Sequence, residues 1–208
     1  MNVIAEAVKH KEAVFPWNAV NQKLFPEDML GMIYDDLRSQ SCADIGGTDL
    51  LREILHESDM NREEFIDFLE NCILLIFVDL ESNRYVGFGY VTDITRTETH
   101  LRGFGGYCFH RKHWNIKESL IYGKLFVAQL FNYFGFDQLW GLSPVSNRQS
   151  RLWLTRLGCK YLDCKLPGFT TYHGKRDDTM VCYVNKDEFN KKWGFDDNPE
   201  APVNGSGA

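Results

Sequence analysis

Between residues 99 and 185 the hydrophobic period switches back and forth in a fixed order, and no other feature narrows the possible folds as far. Residues 99–109 read as a strand in which Gly103, Gly105 and Gly106 permit a bulge or a close backbone approach. Leu120, Gly123, Val127, Leu130, Phe131 and Phe134 then recur at three- and four-residue steps. That spacing puts them on one face of a helix from about residue 117 to residue 134. Gly135 stands where a C-terminal cap belongs. Residues 138–142 form a short strand, and a second helix over 147–157 closes at Gly158. Strands at 160–164 and 179–185 and a terminal helix over 187–192 complete the series. A strand, a long helix and a further strand imply parallel neighbours joined by a right-handed crossover.

Upstream the pattern is helical. Pro26 followed by Glu27 and Asp28 is a helix start favoured by the dipole, and Met29, Met32, Ile33 and Leu37 repeat at helical spacing. After a break at 41–47, Thr48 or Asp49 caps a second helix through Leu50, Leu51, Ile54 and Leu55. Asp59 or Asn61 caps a third, with Phe65, Phe68 and Leu69 inward. Residues 73–80 and 85–94 then read as a hairpin across the turn at 81–84, and no opening strand is evident before them. The order predicts an α/β (α+β) chain: a mixed, mostly antiparallel sheet, helices on both faces, and an enlarged helical N-terminal half. One domain is expected over residues 1–195, divided into an acidic helical part (1–72) and a sheet part (73–195). Residues 196–208, with two prolines and a Gly-Ser-Gly end, are expected to be disordered.

Charge then limits the function. A net charge of -6 over 208 residues argues against a general nucleic-acid-binding role. Acidic residues crowd the first third, whereas residues 96–124 carry Arg96, Arg102, Arg111, Lys112, Lys117 and Lys124. That basic segment is either a patch for a phosphorylated ligand or a solvated loop face. No apolar run reaches the length of a bilayer span, and nothing near Glu6 forms a secretory core, so no membrane partner is expected. The six cysteines lack a paired CxxC spacing, which suits reduced thiols and a cytoplasmic setting. Cys108, His110 and His113 have no second half-site, so no metal is expected.

Three stretches carry a family resemblance. The first is Gly106-Tyr107-Cys108-Phe109 running to Trp114 and a long helix. The second is Asn147-Arg148-Gln149-Ser150 continuing to Leu157-Gly158, and the third is Gly174 to Val181 with Asp178. In this order and spacing the chain resembles the GNAT superfamily of acetyltransferases, specifically its branch acting on ribosomal-protein N-termini (RimJ/RimL-like). The resemblance implies a GNAT fold whose central strands splay apart at their C-terminal ends, and acetyl transfer from acetyl-CoA to an amine of a protein or small molecule. It places the backbone of Cys108 and Phe109 along the pantetheine and the acyl oxygen. The pyrophosphate falls to the loop and helix start at Arg111, Lys112, Trp114, Asn115, Ile116, Lys117, Glu118 and Ser119. The family's two loop glycines are replaced by Asn115 and Lys117, with Ser119 as the nearby small residue.

Leu154 stands where many members carry a tyrosine acid, while Ser150 matches the serine of the RimL-like branch. Ser150 is then either the proton donor to the thiolate or a helix serine bonded to backbone. Asn147 either holds the pantetheine amide or caps its helix. Glu98 and His100 either deprotonate the amine or are surface strand residues. The alternative is a non-catalytic GNAT-like bacteriophage protein, a virion, assembly or binding module of the host cytoplasm or virion. An oligomer suits either role.

Overall fold

The computed structural model describes residues 12–17, 21–41, 60–110, 113 and 116–195. The expected helix through Leu50 and Leu55, the loop residues Arg111, Lys112, Trp114 and Asn115, and the tail from residue 196 lie outside them.

The first element is a strand, β1 (Glu12–Pro16), where the sequence suggested only helices. It is too short to display a period, and it is held by pairing: Val14 lies opposite Phe77 in an antiparallel ladder with β2 (Ile73–Asp79). Pro16 is tolerated at its end because Pro16 and Leu75 are a non-hydrogen-bonded pair, and Trp17 N–H beyond it donates to the Leu74 carbonyl at 2.7 Å. Helix α1 (Met29–Ser41) buries Met29, Leu30, Ile33 and Leu37, the spacing read from the sequence. Helix α2 (Arg62–Glu70) starts at Asn61 with a reciprocal capping box: Glu64 N–H donates to Asn61 Oδ1, and Asn61 N–H donates to Glu64 Oε2. Arg62 pairs with Asp28 and lies 3.7 Å from Asp35, which ties the two helices together. Asn61→Ala removes one half of this box and is expected to destabilise the protein by about 1 kcal/mol. Urea unfolding followed by circular dichroism measures that loss.

The chain continues through β3 (Arg84–Arg96), β4 (Leu101–Phe109), α3 (Ile116–Asn132), β5 (Gln138–Pro144), α4 (Arg148–Leu157), β6 (Lys160–Tyr172), β7 (Lys175–Asn185) and α5 (Lys186–Trp193). The described strands form one seven-stranded sheet in the order β1-β2-β3-β4-β5-β7-β6. Among them only β4 and β5 run parallel, with α3 connecting them. The last two strands are longer than their apolar runs. Pro167 and Gly168 read as breaks in the sequence, yet β6 is an edge strand, where register shifts on either side of residues 165–166 accommodate them.

Two cores sandwich the sheet. One face packs Tyr122, Phe126 and Phe131 of α3 and Trp153 and Leu157 of α4 against Phe77, Phe109 and Val184. The other packs α1 and α2 onto β2, β3 and β4 through Ile33, Phe65, Leu69, Ile76 and Phe88. Helices α3 and α4 cross closely because Gly123 has no side chain; a Cβ there would meet Trp153 at 2.4 Å. No described helix is long and apolar enough to cross a membrane.

Candidate active site at the β4–β5 splay

The parallel ladder between β4 and β5 is short. It pairs Arg102, Gly103 and Phe104 with Gln138, Leu139 and Trp140, and then the register ends. Below it, Leu101 and Asp137 are bonded reciprocally: Leu101 N–H donates to Asp137 Oδ2 at 2.7 Å, and Asp137 N–H donates to the Leu101 carbonyl at 2.9 Å. Gly105 and Gly141 face each other at the throat above it. A Cβ on Gly141 would stand 3.7 Å from the Gly105 carbonyl oxygen and 3.3 Å from Cys182 Sγ, so the strands are still adjacent here and the sheet face carries no side chain at either position.

Strand alternation decides which peptide groups face that gap. The carbonyl of Leu101 faces Asp137 on the β5 side, whereas His110 N–H donates to Val86 on β3 at 2.7 Å. Odd-numbered residues of β4 therefore direct their peptide groups toward β5 and even-numbered ones toward β3. Tyr107 and Phe109 direct theirs into the splay. The expectation for Cys108 changes accordingly: its peptide group faces β3, and its thiol is buried in the α1–α2 core. Burial first, and Asp36 second, push that thiol up to about 12.

Ser150 lies in the first turn of α4, and its hydroxyl is 3.1 Å from the Tyr107 hydroxyl. Its N–H donates to Asn147 Oδ1 at 2.9 Å, so Asn147 caps the helix. The Tyr107 ring stacks against Trp153 with centroids 4.2 Å apart, and Trp153 Nε1–H donates to Ser119 Oγ at 3.0 Å. Strand β4, the start of α3 and the start of α4 are thus held around one point. Ser119 is buried beneath Trp153. In the same first turn of α3, Lys117 is exposed and Glu118 pairs with His113 at 2.7 Å. Leu154 is buried in the α3–α4 core, so that position presents no polar group.

Glu98 and His100 lie elsewhere. They sit in the exposed turn before β4, where His100 N–H donates to Thr97 Oγ1. His100 lines a polar cavity of about 420 Å³ together with Arg102, Asp137, Asn185 and Glu188. Seven strand steps of about 3.3 Å, roughly 23 Å, separate His100 from Tyr107. The structure brings Ser150, Asn147, Tyr107 and Ser119 together and leaves these two at the far end of β4. The basic segment is divided as well: Arg102 lines that distant cavity, and Lys124 lies 3.5 Å from the centroid of the Trp193 ring. Tyr107, quoted in the first motif, and Trp153 were not among the candidate site residues. Parity along β4 was the available signal, because it puts Tyr107 on the same face as Phe109, toward α3 and α4.

The sheet order, the splayed parallel pair and the crossover helix define a GNAT fold. Solved structures agree. The chain is similar to a spermidine N-acetyltransferase from Vibrio cholerae in complex with CoA and spermine, at 10% identity and a TM-score of 0.65 over 86% of this chain and 98% of that one. It is similar to a ribosomal-protein-S5-alanine acetyltransferase from Vibrio fischeri, at 12% identity and a TM-score of 0.57 over 86% and 96% of the two chains. A GNAT-family acetyltransferase from Bacillus anthracis matches at 12% identity and a TM-score of 0.56 over 76% and 92%. No protein-family model and no curated protein matches the sequence.

Proposed function

We propose that the protein is an N-acyltransferase that moves an acetyl group from acetyl-CoA to an amine of a protein or small molecule. The observation that carries this reading is the glycine-lined gap above the Phe104–Trp140 pair, with the Ser150 hydroxyl beside it. The residues present fit the group. Tyr107 and Phe109 direct peptide groups along the gap, and α3 opens at Ile116, where the positive end of the helix dipole favours phosphate. Lys117 adds a positive charge at that helix start. When bound, acetyl-CoA supplies the activated acyl carbon.

The chain's own residues supply position and protons. The Tyr107 N–H is directed to the acyl oxygen, where negative charge develops as the amine adds. Ser150 Oγ hands a proton to the departing sulfur. With Glu98 and His100 at the far end of β4, the amine gives its proton to water. The exposed carboxylates Glu63 and Glu70 of α2 suit an acceptor that arrives as a cation.

Lys117→Glu tests the loop assignment. Reversing a charge beside the phosphates is expected to weaken coenzyme A binding by about tenfold or more in calorimetry. Equal affinities for the two proteins would reject the assignment. Coenzyme A is also expected to raise the melting temperature of the wild type. No stabilisation and no thioester consumption with any amine would turn the reading toward a binding-only role.

A further inference from the structure

Two hydroxyls from different elements meet beyond the end of the β4–β5 ladder. Tyr107 comes from β4 and Ser150 from α4, and their oxygens lie 3.1 Å apart. We propose that Tyr107 is a positioning residue whose phenol donates to Ser150 Oγ, which turns the serine's own proton into the gap toward the departing sulfur. This rests on the acyl-transfer reading above and names the residue that sets the geometry of its proton donor.

The direction of the bond follows from what each group has available. Burial above all drives the Tyr107 phenol well above the usual tyrosine range, so it remains a protonated donor at every working pH, although the Ser150 bond pulls the other way. Its ring is fixed between Trp153 at 4.2 Å and Phe109 at 5.7 Å, which leaves the hydroxyl little freedom to seek another partner. The Ser150 backbone is fixed too, by the Asn147 cap. A serine that accepts through one lone pair keeps its single proton for a second partner. As the C–N bond forms and the C–S bond breaks, sulfur takes the Ser150 proton. The proton released by the amine restores the serine through water, so no further reactant is consumed. Leu154 leaves α4 without a phenol of its own at this height, and β4 supplies one from the opposite side.

Tyr107→Phe keeps the ring and removes the hydroxyl. Turnover is expected to fall about tenfold with KM for acetyl-CoA changed by less than about twofold, because the interaction acts on the transition state. In a Ser150→Ala background the same substitution is expected to have no further effect; that background also carries any purely structural consequence of losing the hydroxyl. The thiol of bound coenzyme A gives a readout independent of turnover, through its thiolate absorbance. Wild-type protein is expected to titrate that thiol below free coenzyme A, and Tyr107→Phe to return most of the difference. Turnover of Tyr107→Phe within about twofold of wild type, or a loss that persists in full beside Ser150→Ala, overturns the positioning role. A wild type that binds coenzyme A without transferring acetyl to any amine removes the acyl-transfer reading. The thiol titration then judges Tyr107 alone, and equal midpoints for wild type and Tyr107→Phe reject it. Absence of coenzyme A binding rejects both.

Discussion

Ser150→Ala is expected to lower the turnover of acetyl transfer by about two to four orders of magnitude while leaving coenzyme A affinity nearly unchanged. In the proposed mechanism the hydroxyl acts on a charge that exists only as the C–S bond breaks, so its loss falls on kcat rather than on ground-state binding. Asn147 still caps through the Ser150 backbone N–H, which alanine retains, whereas the Tyr107 hydroxyl loses its partner at 3.1 Å. Steady-state kinetics with acetyl-CoA and a panel of amines, beside calorimetry with coenzyme A, separates the two parameters. Activity that survives Ser150→Ala intact would remove the serine from the mechanism.

Trp153→Ala is expected to destabilise the protein by about 3–5 kcal/mol, the range for deleting a buried aromatic. Trp153 is 5% exposed, stacks on Tyr107 and donates to Ser119. Its removal opens a cavity at the α3–α4 crossing and leaves the buried Ser119 hydroxyl without that donor. Gly123 would then face empty space where the indole had filled it. Urea denaturation measures the loss as a shifted midpoint at constant slope. A shift worth less than about 1 kcal/mol would mean that the crossing relaxes around the deletion. Trp153→Phe retains ring stacking and loses only the indole donor, so it is expected to recover more than half of the stability.

The sequence disclosed the parts of this fold in which local pattern and tertiary packing agree. The stripe of Leu130, Phe131 and their neighbours on α3 is buried as its spacing requires. Asn147 and Gly158 bound α4 as their chemistry suggests, with Gly158 at φ 119°. The glycines of β4 anticipated close approach, and Gly105 faces Gly141. Other parts depend on partners distant in sequence. β1 exists because Ile73–Asp79 pairs with it, and five residues carry no period of their own. The extended β6 contains Pro167, which only an edge position allows. The Asn147 cap on Ser150 N–H was legible because the spacing is local to one helix. Glu98 and His100 were placed by proximity in sequence to β4, without counting the strand steps that carry them to its far end. Tyr107 was hidden because its importance comes from α4, 43 residues away along the chain.

The brief β4–β5 ladder divides the sheet into two panels. The core under α3, α4 and α5 draws on both, with Phe77 and Val86 from the first panel and Leu139, Cys182 and Val184 from the second. The α1–α2 core is confined to the first panel. Turning one panel against the other therefore leaves the α1–α2 core untouched and strains only the shared one, with the reciprocal Leu101–Asp137 bonds as the pivot. The pairing that joins the panels is confined to one short line through the sheet, and whatever widens that line loads one core and spares the other.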